Sequence, residues 1–84
     1  MAHILYFASL REMLDTEREN IMLDEQVVTV SDLKQLLIKR GGDWQQAFTA
    51  QQALLVSVNQ QMADDETGIS DEDEIAFFPP VTGG

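Results

Sequence analysis

The chain of 84 residues contains no cysteine. This absence excludes a disulfide framework, a thiolate nucleophile and a zinc site with cysteine ligands. A chain of this length is close to the lower limit at which one hydrophobic core supports a fold without disulfides or metal, so we expect a single domain. A protein without disulfides fits a reducing compartment, and we expect this one to be cytoplasmic.

Basic residues are scarce. Five Lys and Arg against fifteen Asp and Glu give a formal net charge of -10. Phosphate backbones and anionic lipid surfaces repel such a chain, so we expect no nucleic acid and no membrane partner. A partner protein with a basic surface is the natural complement. The opening stretch MAHILYFASLREM has no basic leader before a long apolar run, and it therefore predicts neither a signal peptide nor a membrane span.

Conventional catalytic groups are also few. His3 is the only histidine, and without a Cys or Ser partner at a suggestive spacing we assign it no role. The four serines have no histidine and acid relay, which argues against a serine hydrolase. The acidic segment 64–74 lacks the spacing of a calcium loop, because its glycine is fifth rather than sixth when counted from Asp64. We interpret this segment as a solvated loop.

The hydrophobic pattern predicts a sheet and one main helix. Residues 3–8 are apolar on both faces, which indicates a central strand covered on both sides. Val30, Leu33 and Leu37 recur at helical spacing, and Thr29 with Asp32 resembles a capping box ahead of them. The other predicted elements are a short helical turn in ASLREML, a strand in ENIMLDE through Ile21 and Leu23, a second helix in DWQQAF capped by Asp43, strands at 54–59 and through Met62 around a turn at Asn59–Gln60, and a last strand at 74–78.

This order of elements predicts an α+β fold with one sheet packed on one main helix. It is compatible with a ubiquitin-like β-grasp, in which the first and last strands lie side by side in the middle of a mixed sheet. We place the domain at residues 1–78, with a second short helix, and an extended C-terminal tail at residues 79–84. The last strand would then be held centrally, and the tail would leave a rigid base.

The tail sequence PPVTGG is unusual for a chain end. Pro79 and Pro80 fix their φ angles and favour an extended, stiff arm. Six residues reach roughly 20 Å at about 3.3 Å per residue. Gly83 and Gly84 have no Cβ, so the terminal carboxylate can pass through a channel too narrow for a side chain. The alternative interpretation is a frayed end without a role.

The segments DEIAFFPPVTGG, LYFASLREM and SVNQQ resemble the small, sulfur-carrying subunit of molybdopterin synthase, the MoaD type of ubiquitin-like proteins. The resemblance implies that an adenylating enzyme of the ubiquitin-activating type uses ATP and magnesium to activate Gly84. A sulfur donor protein then leaves a thiocarboxylate on Gly84. The end inserts into the large synthase subunit and donates sulfur to cyclic pyranopterin monophosphate. The chain itself would bind no cofactor and would act as a co-substrate of a heterotetramer whose catalytic residues lie in the large subunit.

The resemblance also implies roles for individual residues. Phe7, Arg11, Met62 and Phe78 match positions that dock the large subunit, and the family often has Leu in place of Met62. Pro79, Pro80, Val81, Thr82 and Gly83 form the inserted tail, and Gly84 is the reactive end. Sequence alone does not separate docking from core packing for Phe7 and Phe78.

Three other functions are compatible with the sequence. A sulfur carrier for the thiazole of thiamin shares the fold and the Gly-Gly end, but those chains are usually shorter and lack the aromatic and proline ending. A ubiquitin-like modifier would be joined to lysines of target proteins through Gly84. A plain interaction module would bind through its sheet and would not use its end.

Overall fold

The computed structural model describes residues 1–49 and 54–80, and within them it contains five strands and three helices. The elements in chain order are β1 (Ala2–Tyr6), α1 (Ala8–Leu14), β2 (Arg18–Ile21), α2 (Val30–Ile38), α3 (Gly42–Thr49), β3 (Leu55–Val58), β4 (Gln61–Ala63) and β5 (Glu74–Phe78). Residues 81–84, which hold the end of the predicted tail, lie outside the described residues. No helix in the described ranges is both long enough and apolar enough to cross a membrane.

The sheet is mixed, with the strand order β2-β1-β5-β3-β4. β1 and β5 run parallel, and the other neighbouring strands run antiparallel. The first and last strands therefore lie side by side near the middle of the sheet, as predicted. This arrangement of one mixed sheet with helices against it is α+β and confirms the ubiquitin-like β-grasp.

Only one face of the sheet is covered. Ile4, Tyr6 and Phe77 are fully or almost fully buried, and they share a core with residues of all three helices. His3 on the other face of β1 is exposed, and Leu5 is half-buried. The prediction that β1 is covered on both sides is therefore wrong. A continuous apolar run does not reveal that one of its faces is left open.

The main helix begins as predicted. The Asp32 amide donates to the Thr29 hydroxyl at 3.2 Å, and the Thr29 amide donates to the Asp32 carboxylate at 3.1 Å. This reciprocal pair is a capping box. The acidic loop completes the helix start, because the Val30 amide donates to the Thr67 carbonyl and the Ser31 amide donates to the Asp65 carbonyl. The first-turn amides are thus satisfied by a loop more than thirty residues away in the chain.

Three predicted boundaries are wrong. The first strand ends at Tyr6, because the chain turns sharply where Ala8 takes a left-handed φ of 54°. The second strand stops at Ile21, and the Leu23 amide instead donates to the Asp71 carboxylate at 2.9 Å. Asp43 does not cap the helix predicted in DWQQAF, because that helix, α3, already begins at Gly42.

The hairpin between β3 and β4 turns at Asn59–Gln60, as predicted. Both residues have left-handed φ angles, 52° and 69°. This pattern is that of a type I′ turn, whose twist matches the flanking strands. The Asn59 side chain also ties the turn to β5, since it donates to the Asp73 carboxylate at 2.9 Å and accepts from the Glu74 amide at 3.0 Å.

A polar cluster joins β2 to the junction between α2 and α3. Arg40 makes two hydrogen bonds to the Glu19 carboxylate, at 2.8 and 2.9 Å, and Tyr6 donates a third at 2.7 Å. The Arg40 guanidinium also lies 4.3 Å from the centre of the Trp44 ring. Burial acts to raise the pKa of Glu19, but the hydrogen bonds from Arg40 and Tyr6 outweigh it and hold the pKa below its ordinary value.

We expect Glu19→Gln to destabilise the fold by about 1 to 2 kcal/mol at neutral pH, because Arg40 loses a charged partner at a partly exposed site. The depressed pKa means that the carboxylate stabilises the fold above its ordinary pKa of 4.5 and loses this contribution as the pH falls below that value. The difference in urea midpoint between wild type and variant should therefore shrink at about pH 3.5. Exposed Glu17→Gln is the matched control, and an unchanged difference at both pH values would contradict the assignment.

Candidate functional site

The open face of the sheet carries a row of side chains that crosses four strands. The register pairs Leu5 with Ala76, Ala76 with Ser57, and Ser57 with Met62. Residues directly opposite each other on neighbouring strands share a face of the sheet. Met62 at the edge of this row is 66% exposed. On these four strands the row is apolar apart from Ser57, and it continues on β2 with Arg18, the partner of Leu5. Ala76 in its middle is buried, at 6% exposure, and none of these residues is in the core cluster.

Phe7 and Phe78 extend the open face toward the end of the sheet where the tail begins. Their rings meet edge to face with centroids 6.5 Å apart. Phe7 is 47% exposed and Phe78 is half-buried, whereas the neighbouring Phe77 is completely buried. Phe78 also pairs with Leu55 of β3. Phe7 and Phe78 therefore belong to the open face rather than to the core, and their role in docking stays a prediction.

Arg11 lies one helical turn beyond Phe7, since its amide donates to the Phe7 carbonyl at 3.3 Å. Its side chain is exposed, and it takes part in none of the ion pairs found within residues 1–49 and 54–80. The structure thus brings three predicted docking residues, Phe7, Phe78 and Arg11, to one end of the sheet. Met62 lies on the far edge strand of the same open face.

The tail leaves the domain at the same end of the sheet. Its first two residues, Pro79 and Pro80, form the root of the tail. β5 is paired with β1 up to Phe77 and with β3 up to Phe78. Pro79 and Pro80 are half-buried beside a groove of about 410 Å³. Residues of α1, α3 and the start of β3 line this groove, namely Ser9, Leu10, Met13, Gln46, Ala47 and Leu54. The predicted tail residues Val81, Thr82, Gly83 and Gly84 lie outside the described residues.

The acidic segment 64–74 has structural partners within the domain. Asp71 forms an ion pair with the N-terminal ammonium at 3.2 Å, and the hydrogen bond from the Leu23 amide is the main cause that lowers its pKa. A side-chain hydrogen bond from Asn59 is the main cause that lowers the pKa of Asp73. Lys34 pairs with Asp65 at 2.6 Å. Ile69 in this segment is buried, so the loop is packed against the domain. The prediction of a solvated loop is therefore wrong for this part of the segment.

Two further features concern catalytic or metal-binding groups. Within the part of the chain that the structure describes, no three His, Asp or Glu side chains come together in a way that could hold a metal ion. His3 is exposed, and its Nδ1 lies 2.6 Å from the Asn20 side-chain oxygen.

Sequence reasoning missed part of the open face and all of the groove. Leu5, Ala76 and Leu55 were not singled out, although Leu5 has the same strand parity as the predicted docking residue Phe7. Met13 lies in the short helix predicted in ASLREML, and its place in the groove does not follow from that helix. The groove joins residues that are distant in the chain, and no local pattern in the sequence could have identified it.

Comparison with curated proteins gives relatives over the full length of the chain. The molybdopterin synthase sulfur carrier subunits of Haemophilus influenzae and Escherichia coli are each 37% identical over 84 residues, with 100% of both chains covered. These relatives confirm the predicted resemblance to the MoaD type.

Solved structures with the same fold are less similar in sequence. SAMP1 of Haloferax volcanii superposes with a TM-score of 0.80 at 24% identity, covering 99% of this chain and 98% of that one. A chain in the complex of subunits 1 and 2 of the molybdopterin-converting factor of Helicobacter pylori superposes with a TM-score of 0.66 at 19% identity, covering 99% and 97%. At these identities the likeness establishes the fold alone. The model of the ThiS family matches residues 4–84, which is nearly the whole sequence, and this chain belongs to the ThiS family.

Proposed function

We propose that the chain is a sulfur carrier of molybdenum cofactor biosynthesis, with Gly84 as the carrier group. The observation that carries this proposal is the position of β5. This strand lies between β1 and β3 near the middle of the sheet and ends at Phe78, directly before the tail. A central strand anchors the start of the tail. In addition, two relatives that match the chain over its full length are named as sulfur carrier subunits of molybdopterin synthase.

The chemistry takes place at the C-terminal carboxylate. A carboxylate is a poor electrophile, so one of its oxygens first attacks the α-phosphorus of ATP, and pyrophosphate leaves. A hydrosulfide ion, HS⁻, then attacks the carbonyl carbon of the acyl-adenylate, AMP leaves, and the proton of the thiol acid is released. The product is a thiocarboxylate on Gly84. ATP, magnesium and the sulfur nucleophile belong to the activating enzyme and to the sulfur donor protein, and this chain contributes the carboxylate.

The open face supports a role for this chain as a docked subunit. Phe7 and Met62 are large apolar side chains with 47% and 66% of their surface exposed, and the exposed Arg11 follows Phe7 by one helical turn. Exposed apolar side chains grouped on one face are typical of a protein interface. We assign this face to the large subunit of molybdopterin synthase. Within that complex the thiocarboxylate sulfur forms a bond to a carbon of cyclic pyranopterin monophosphate. Water then cleaves the bond between this sulfur and the Gly84 carbonyl carbon, and the carrier returns to its carboxylate form.

The intact mass of the protein tests the proposal. Incubation with the adenylating enzyme of its host, ATP, magnesium and a sulfide source should replace one oxygen by one sulfur, and fragmentation should map the change to Gly84. The same mixture without ATP is the control and should leave the mass unchanged. If the mass does not change although the components sulfurate another carrier, the proposal is wrong.

The acceptor separates the proposed function from a carrier for the thiazole of thiamin. The sulfurated chain, mixed with the large subunit and cyclic pyranopterin monophosphate, should lose its sulfur with the formation of a dithiolene. A ladder of heavier conjugates in a cell extract would instead indicate a protein modifier.

A further inference from the structure

The hydrogen bonds of the β-sheet do not fix the orientation of the root of the tail. The ladder between β3 and β5 ends with the pair Leu55 and Phe78. Pro79 and Pro80 follow, and proline has no N–H group with which to continue a ladder. Both prolines are half-buried, and they line a groove together with residues of α1 and α3 and with Leu54, directly before β3. We call this groove, lined by Leu10, Met13, Ala47 and Leu54 together with Ser9 and Gln46, the tail-root groove.

Orientation at the root matters because the arm is stiff. Two prolines fix their own φ angles, but they do not fix the direction in which the pair leaves Phe78. A rotation of about 20° at the root moves the end of an arm of roughly 20 Å by about 7 Å. Reactions of bound groups are sensitive to misplacement on the order of 1 Å. A carrier whose root turned freely would therefore present its end in many unproductive positions.

Met13 is the residue of the groove whose position is least explained by core packing. It is 39% exposed, although it is large and apolar, while its helix neighbours Leu10 and Leu14 are buried in the core. It lines the same groove as both prolines. An unbranched thioether side chain can adapt its shape to fill such an irregular gap.

We propose that Met13, with Ala47 and Leu54, holds Pro79 and Pro80 in one orientation and thereby aims the tail. Met13 is a positioning residue, since it acts on the reactive end through the proline pair. The inference rests on the proposed function, because aim matters only when the end of the tail reacts. It assigns separate roles to two surfaces. The open face docks the partner, and the tail-root groove sets the direction of the tail.

Three variants test the proposal. Met13→Ser removes the apolar side chain from the groove, and Met13→Leu retains most of its volume. Met22→Ser is the matched control, because Met22 is also an exposed methionine, at 70%, and does not line the groove. We expect Met13→Ser to lower kcat for sulfur transfer to the pterin by about tenfold, with KM for the carrier unchanged. Met13→Leu and Met22→Ser should behave like wild type, and all variants should unfold at similar temperatures.

A second measurement does not depend on sulfur chemistry. Nuclear Overhauser effects between the Leu54 methyl groups and the ring protons of Pro79 and Pro80 report directly on the packing of the root. They should be present in wild type and in Met13→Leu, and they should weaken in Met13→Ser. Their absence from wild type, or transfer by Met13→Ser at the wild-type rate, would overturn the proposal. If wild type acquires no sulfur but shows these contacts, the proposed function fails while the packing of the root is retained.

Discussion

Replacing Gly84 with Ala should abolish sulfur transfer and leave the fold unchanged. A methyl group on the last residue no longer passes through a channel that admits only a backbone. One residue added after Gly84 should have the same effect, because it moves the carboxylate by about 3.3 Å, and misplacement of 1 Å can already cost two orders of magnitude in rate. The last strand ends at Phe78, six residues before the end of the chain, so thermal unfolding should not change.

Gly68→Ala is the matched control for this variant. A Cβ placed on Gly68 would meet only the Val28 carbonyl oxygen, at 3.8 Å, which is an ordinary contact. Gly41 and Gly42 are unsuitable controls, because their φ angles of 76° and 55° disfavour any side chain. Intact mass after activation and the rate of sulfur transfer to the pterin are the two measurements. Sulfur transfer by Gly84→Ala at the wild-type rate would show that the channel admits a Cβ and would contradict this expectation.

Replacing the two adjacent phenylalanines of β5 with Ala should have different effects, on stability for Phe77 and on docking for Phe78. Phe77 is fully buried, and its ring lies 5.2 Å from Phe48 edge to face and 6.3 Å from Tyr6. Phe77→Ala should therefore cost about 3 to 5 kcal/mol. The total stability of a domain is about 5 to 15 kcal/mol, and a chain of 84 residues belongs near the lower end of that range. This variant should be close to unfolding at room temperature.

Phe78→Ala should instead weaken docking. The side chain is half-buried on the open face, against the Phe7 ring. We expect a loss of about 1 kcal/mol in stability and a roughly 30-fold loss in affinity for the large subunit, the size of an aromatic hot spot. Urea denaturation and calorimetric titration with the large subunit measure the two effects. If Phe78→Ala unfolds the chain and retains its affinity after correction for the folded fraction, the assignment of Phe78 to the interface is wrong.

Several features of the fold were predictable because they depend on residues close together in the chain. The capping box needs only Thr29 and Asp32, three positions apart, and it forms as predicted. The type I′ turn needs two residues that tolerate left-handed φ angles, and Asn59–Gln60 supplies them. The apolar stripe of α2 follows from the spacing of Val30, Leu33 and Leu37, all fully buried. Such interactions are largely independent of how the rest of the chain folds.

The predictions that failed depended on contacts between distant residues. Nothing near Asp71 in the sequence indicates that its carboxylate accepts from the Leu23 amide, 48 positions away. The acidic loop looked solvated, yet its carbonyls close the start of α2. Arg40 suggested no specific partner, and its partner Glu19 lies 21 residues earlier on another element. Long-range pairs are decided by the topology of the sheet, which sets the elements that meet.

The sequence by itself therefore determined the class of fold, because hydrophobic periodicity and helix capping are local properties, and it led to the proposal for the end of the chain. Only the tertiary structure decided which aromatic side chains are available to a partner. Phe77 and Phe78 are the same residue type and are adjacent in sequence, but Phe77 faces the helices and Phe78 faces the open side of the sheet. The physical reason is that side chains alternate along a strand, and the face that becomes the core depends on where the helices pack.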